Sequence, residues 1–187
     1  MPLTYTAFLD GRRLATGPLH EVAVAVLRAQ QAQPEGHPLV FSDASGQSAD
    51  LDLRGGEEAV AARYTVVALT QAPKGRGRPK LGVVAREVTL LPRHWEWLAT
   101  QPGGASVALR KLVEHARTAN QGADRKRRAQ ESCYRFLSAM AGNEAGFEEA
   151  TRALFAGNLA RFEEMTGSWP KDVRAHARRL AAAACAG

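Results

Sequence analysis

The opening of the chain alternates with a period of two. Tyr5, Ala7 and Leu9 fall on one side of a strand and Thr6 and Phe8 on the other, the pattern of a half-buried strand. Asp10-Gly11 is a hairpin turn signal, and Arg12 to Ala15 supplies the return strand. The period then lengthens. Leu19, Val22, Ala23 and Val26 recur at helical spacing, which predicts an amphipathic helix over Pro18 to Gln31 with Pro18 near its first position. Pro38 to Phe41 is a short apolar run, Asp43-Ala44-Ser45-Gly46 is a turn, and Ala49, Leu51 and Leu53 alternate again, so a second hairpin is expected. Gly55-Gly56-Glu57-Glu58 followed by Ala59 to Tyr64 predicts a short helix with acids favourably placed in its first turn.

Gln71 to Lys80 has no apolar period at all, but carries two Pro, two Gly and four bases, the composition of a linker. Val83 to Leu91 alternates once more, with Val88 and Leu90 opposite Glu87, Thr89 and Leu91, and predicts a strand. Pro92 opens a helix through Trp95, Leu98 and Ala99, and Pro102-Gly103-Gly104 breaks it. Ser106 is placed to cap a further helix with a stripe of Val107, Leu109, Leu112, Val113 and Ala116. The remainder reads as helices over Gly122 to Ala141, Glu144 to Ala156, Asn158 to Thr166 and Pro170 to Ala184, with Gly142, Gly157 and Gly167 at the breaks. The expected fold class is α+β, with an N-terminal sheet-and-helix lobe (1–70), a basic linker (71–82), a central strand-helix-helix (83–120) and a C-terminal helical lobe (121–187).

Charge changes this picture more than composition does. The net charge is +6. Between Lys74 and Arg135 there are 14 Lys or Arg against 5 Asp or Glu, a local balance of +9. The flanking parts are acidic or neutral, so the positive field belongs to one segment, as an electrostatic footprint for a polyanion requires. Two cysteines, Cys133 and Cys185, have no metal-ligand spacing and suggest no disulfide framework, which suits a reducing cytoplasm. No basic leader precedes an apolar run, and no apolar stretch reaches membrane-spanning length. The five histidines show no ligand spacing, and no nucleophile elbow, Walker loop or dinucleotide fingerprint is present. The sequence gives no support to an enzyme, a metal site or a cofactor.

Within the basic segment, Gly75-Arg76-Gly77-Arg78-Pro79-Lys80, preceded by Lys74, resembles an AT-hook, the short peptide that lies in the minor groove of AT-rich DNA. A-tracts have a narrow groove of enhanced negative potential that draws in arginine. Gly77 allows the backbone to approach the groove floor and Pro79 keeps the chain extended, so Arg76 and Arg78 enter the groove while Lys74 and Lys80 meet phosphates. The strand-helix-helix that follows resembles a ribbon-helix-helix module, in which two chains pair their strands into an antiparallel ribbon. Its outward residues here, Glu87, Thr89 and Leu91, depart from the cations and amides usual in that family, and Glu87 would repel phosphate. Arg110 and Lys111, and the run Arg125-Lys126-Arg127-Arg128 near the start of the long C-terminal-lobe helix, are further candidate phosphate contacts. Four consecutive bases wrap the girth of a helix, near an end whose dipole disfavours cations.

Over almost its whole length the chain also resembles an uncharacterised bacterial family, a domain of unknown function. The residues that carry this are GRGRPKLGVVAREVTLLPRHWEWLA, GGASVALRKLVEHAR and FEEATRALFAGNLARFEEMTGSWPKDVRAHARRL. That resemblance implies bacterial origin and no particular activity. The expectation is therefore a non-enzymatic cytoplasmic protein, associated with the bacterial nucleoid, that binds AT-rich duplex DNA with low sequence specificity as a homodimer. It would serve as a transcriptional regulator or chromosome-associated factor. Two rivals are a protein-interaction or ligand-sensing adaptor and an enzyme that uses the basic segment to steer an anionic substrate.

Overall fold

The computed structural model describes residues 3–65 and 84–185. These divide into two compact units. One holds residues 3–65 together with 122–185, and the other holds 84–121.

In the first unit the Asp10-Gly11 turn forms as its chemistry dictates, with φ of 51° and 77° at the two residues, the left-handed pair of a two-residue hairpin. It joins β1 (Tyr5–Leu9) to β2 (Arg12–Gly17), and β3 (Leu39–Ser42) pairs antiparallel on the other side of β1, giving the order β2-β1-β3. α1 (Leu19–Ala32) lies between β2 and β3 in the chain, and α2 (Glu57–Tyr64) follows β3. Pro18 stands just outside α1, and Glu57 and Glu58 occupy the first turn of α2, where the helix dipole favours them. Arg28 of α1 clamps Glu57 through two side-chain hydrogen bonds.

The second hairpin closes with a single rung, the isolated antiparallel bridge of Phe41 to Ser48, made by the Ser42 amide to the Gln47 carbonyl and the Ala49 amide to the Val40 carbonyl, and no ladder continues past it. Leu51 and Leu53 nevertheless pack inward against the sheet and helix side chains. Their alternation reflects half-burial without a ladder to continue it.

The half-buried reading of β1 is also corrected, because both of its faces are covered. Ala7 and Val40 pack with Val22 and Val26 of α1. On the opposite face Phe8 and Phe41 enter a core with Phe136, Leu137, Leu154, Phe162 and Val173, contributed by α5 (Gln121–Met140), α6 (Phe147–Ala156), α7 (Leu159–Met165) and α8 (Lys171–Cys185), and with Trp169 from the turn between α7 and α8. Each of these large apolar side chains contributes roughly 2 kcal/mol by leaving water. The ring of Phe136 meets Phe8 and Phe41 with centroids 5.5 and 5.2 Å away. The N-terminal sheet and the C-terminal helices, far apart in sequence, thus share one core. Gly46 lets them close. It sits at φ 66°, and a Cβ there would stand 2.0 Å from the Ser132 carbonyl oxygen of α5.

The second unit contains α3 (Pro92–Ala99) and α4 (Gly104–Ala119). Pro92 opens α3 as expected. α4 begins earlier than its predicted cap, with Gly103 at the N-cap in the left-handed region, and Ser106 lies inside the helix. The predicted strand is absent: Val84 to Leu91, its described part, joins no ladder. A strand is held by hydrogen bonds to a neighbour, and the described residues of this unit supply no second strand to pair with.

Candidate nucleic-acid interface

The basic run of α5 does not act as a block. Arg127 turns back on its own helix and pairs with Asp124 at 2.8 Å. Lys126 is half-buried, and its Nζ lies 3.5 Å from where a Cβ on Gly157 would stand, at the C-terminal cap of α6. That helix end carries partial negative charge, which favours an ammonium beside it. The remaining two are different. Arg125 and Arg128 stand one turn apart, both exposed, and with Ala129 and Ser132 they line one side of a recess of about 300 Å³. Asp43, Ala44, Leu180 and Ala183 line the other side. Among the described residues neither arginine has a carboxylate within ion-pair distance, and residues 66–83 contain no Asp or Glu.

On α4, Arg110 and Lys111 are exposed, and Arg110 bonds back to the Ser106 carbonyl at 3.2 Å. Neither is ion-paired among the described residues. They lie in the other unit from Arg125 and Arg128. Lys74, Arg76, Gly77, Arg78, Pro79 and Lys80, the AT-hook-like segment, lie outside the described residues.

Next to the recess is a polar cluster that the sequence did not disclose. Asp43, with a side chain only 7% exposed, accepts hydrogen bonds from Thr4 and Thr6, both at 2.9 Å, and pairs with Arg179 at 3.1 Å. His176 lies against it, buried between Phe8 and Phe136. Arg179 Nη2 is 3.2 Å from His176 Nδ1. A guanidinium only donates, so Nδ1 must present a lone pair and the ring proton resides on Nε2. That Nε2 has no hydrogen-bond partner among the described residues. Burial first, then the adjacent Arg179 and more distant Arg13, push the His176 pKa down to about 4, against the opposing pull of Asp43. The backbone amide of Arg13 donates to Asp172 at 2.9 Å and ties β2 to the first turn of α8.

Burial also raises the Cys133 thiol to about 12, so it stays protonated. Among the described residues no three His, Cys, Asp or Glu converge as metal ligands, and no helix is long and apolar enough to cross a membrane.

Residues 4–181 match a family described as uncharacterized protein conserved in bacteria (DUF2239). The chain belongs to that family. No curated protein and no solved structure matches it. In this DUF2239 member Arg125 and Arg128, like Arg12, Arg13 and Lys171 of the same unit, are exposed and have no carboxylate at ion-pair distance among the described residues, and the two on α5 stand side by side at a recess.

Proposed function

We propose that this protein binds duplex DNA as a cytoplasmic homodimer, chiefly through phosphate contacts and with little reading of base sequence. The observation that carries the reading is the placement of Arg125 and Arg128 together on one exposed face of α5, with no carboxylate at ion-pair distance among the described residues. Two guanidiniums a helical turn apart suit neighbouring phosphate oxygens, which they meet as forked donors. Arg110 and Lys111 add to the field from α4. Arg76, Gly77, Arg78 and Pro79 give the preference for AT-rich tracts through the minor groove, flanked by Lys74 and Lys80 on phosphates. Such binding fits a regulator or chromosome-associated factor.

The test is fluorescence anisotropy on AT-rich and GC-rich duplexes across a salt series. The Arg76→Ala/Arg78→Ala variant should bind both duplexes alike. The Arg125→Gln/Arg128→Gln variant should keep the AT preference while its log-log salt slope shrinks by about two, one for each lost phosphate contact. Wild-type protein that fails to bind either duplex at about 50 mM salt overturns the reading.

A further inference from the structure

The recess between α5 and α8 joins charge to hydrocarbon. Arg125 and Arg128 are exposed on one side of it, and Ala44, Ala129, Leu180 and Ala183 supply apolar lining. The acids nearby are engaged elsewhere. Asp124 pairs with Arg127 and Glu131 with Arg135, so both carboxylates of α5 serve other arginines. Asp43 also lines the recess, but its carboxylate accepts from Thr4 and Thr6 and pairs with Arg179. A buried carboxylate bonded in that way is compensated within the protein. Among the described residues the two guanidiniums keep their full charge for an outside partner.

A second basic recess, of about 440 Å³ beside Thr166 and Gly167, lacks that property. Its Arg178 pairs with Glu163 at 2.6 Å, and its Arg174 donates to the Gly167 carbonyl at 2.5 Å, leaving Lys171 alone. An anion arriving there competes with bonds already made. At the α5 pair it exchanges only with hydration.

We infer that the recess between α5 and α8 binds a phosphate monoester with a compact apolar body. The head is a phosphate because a monoester is close to a dianion at neutral pH, which matches two guanidiniums where a carboxylate matches one. Its terminal oxygens accept forked donors from both side chains. Arg125 and Arg128 are three residues apart, about 4.5 Å along the helix axis, so both reach a single phosphate. The body is compact because a recess of about 300 Å³ holds about ten non-hydrogen atoms, at the roughly 30 Å³ a water occupies in the liquid. It is apolar because the side chains of Ala44, Ala129, Leu180 and Ala183 offer neither donor nor acceptor. The site does not depend on the DNA reading above. Where that reading holds, ligand and duplex compete for the same two arginines, and the ligand is a signal for release.

Isothermal titration calorimetry of the full chain with phenyl phosphate tests this, at low salt and about pH 7.5, where the monoester is fully charged. Wild type should bind it about tenfold more tightly than inorganic phosphate, which lacks the body, or benzoate, which lacks the second charge. Arg125→Gln/Arg128→Gln should lose binding. Ala183→Trp fills the apolar part, leaves both arginines in place, and should also lose it. These positions are exposed, so helical circular dichroism should not change. Should Ala183→Trp lose its helical signal, Ala44→Trp on the other side chain wall takes its place. A wild type that does not bind phenyl phosphate, equal affinity for inorganic phosphate or benzoate, or undiminished binding by the filled variant overturns the inference. Binding of phenyl phosphate without binding of duplex leaves it standing and removes the DNA reading, and binding of duplex alone does the reverse. Occupancy that leaves the affinity for duplex unchanged keeps the site and takes these two arginines out of the DNA footprint.

Discussion

His176 Nε2 faces Asp43 Oδ1 across 3.6 Å, inside the core and too far for a hydrogen bond. Asp43 is already engaged by Thr4, Thr6 and Arg179, and the histidine's other nitrogen is occupied by Arg179. A second proton would have to enter at Nδ1, directly toward that guanidinium. The ring is thereby held neutral.

This sets a pH dependence of stability. His176 titrates near 4 when folded and near 6.5 when unfolded, so the unfolded chain takes up the proton first. The stabilising contribution is complete above about pH 6.5 and declines as pH falls toward 4, by about 3 kcal/mol in all. Urea unfolding between pH 7 and 4 should show this slope, and His176→Gln should flatten it. An unchanged slope in that variant would mean that other groups carry the acid sensitivity.

Gly46→Ala should be strongly destabilising. The new methyl would overlap the Ser132 carbonyl, and the residue would have to keep its left-handed φ of 66°. A loss of about 2–4 kcal/mol is expected, seen as a fall of several degrees in Tm. A variant that melts like wild type would show that the turn and α5 are not in contact.

The four bases at the start of α5 should separate by experiment. Arg125→Gln and Arg128→Gln should each lower the salt slope of DNA binding by about one and leave Tm unchanged. Lys126→Gln should do the opposite, costing about 0.5 kcal/mol of stability through lost contact with the end of α6 while leaving the salt slope alone. Equal effects of all three variants would return the cluster to an undifferentiated basic patch.

Cys133 should resist alkylation. With its thiol raised to about 12 and its surface fully buried, iodoacetamide at pH 8 should leave it unmodified in native buffer and label it in urea. Mass spectrometry of the α5 peptide distinguishes the two states, and rapid native labelling would contradict this packing.

Elements whose signals are local were legible in the sequence. The Asp10-Gly11 turn, Pro92 at the start of α3, and the Gly142 and Gly157 breaks lie where their own chemistry puts them. The α+β class follows from those elements alone. The strand at 49–53 was misread because alternation there records burial, whereas a ladder also needs a neighbour; Val84 to Leu91 alternates in sequence, yet apart from Leu90 it is exposed and it joins no ladder among the described residues. The Asp43–His176–Arg179 cluster was invisible for a related reason. Asp43 reads as a turn residue and His176 as a lone histidine on a helix, and only the fold brings them together. Lys126 was assigned outward because nothing in its neighbourhood of the chain announces the end of α6 beside it. Arg125 and Arg128 were picked by charge alone, and the structure shows them exposed and without an ion pair among the described residues.

The shared core has a consequence for how the molecule comes to exist. Phe8 leaves the ribosome early, yet the rings and helices that cover it come from Phe136 and from His176 on α8. Until α5 emerges, one face of the nascent sheet presents Phe8 and Phe41 to the cell with none of their final partners to shield them, and the cover stays incomplete until α8 follows. Synthesis stalled after α5 would leave the adhesive side of the sheet partly bare, and that interval is when chaperones have most reason to bind.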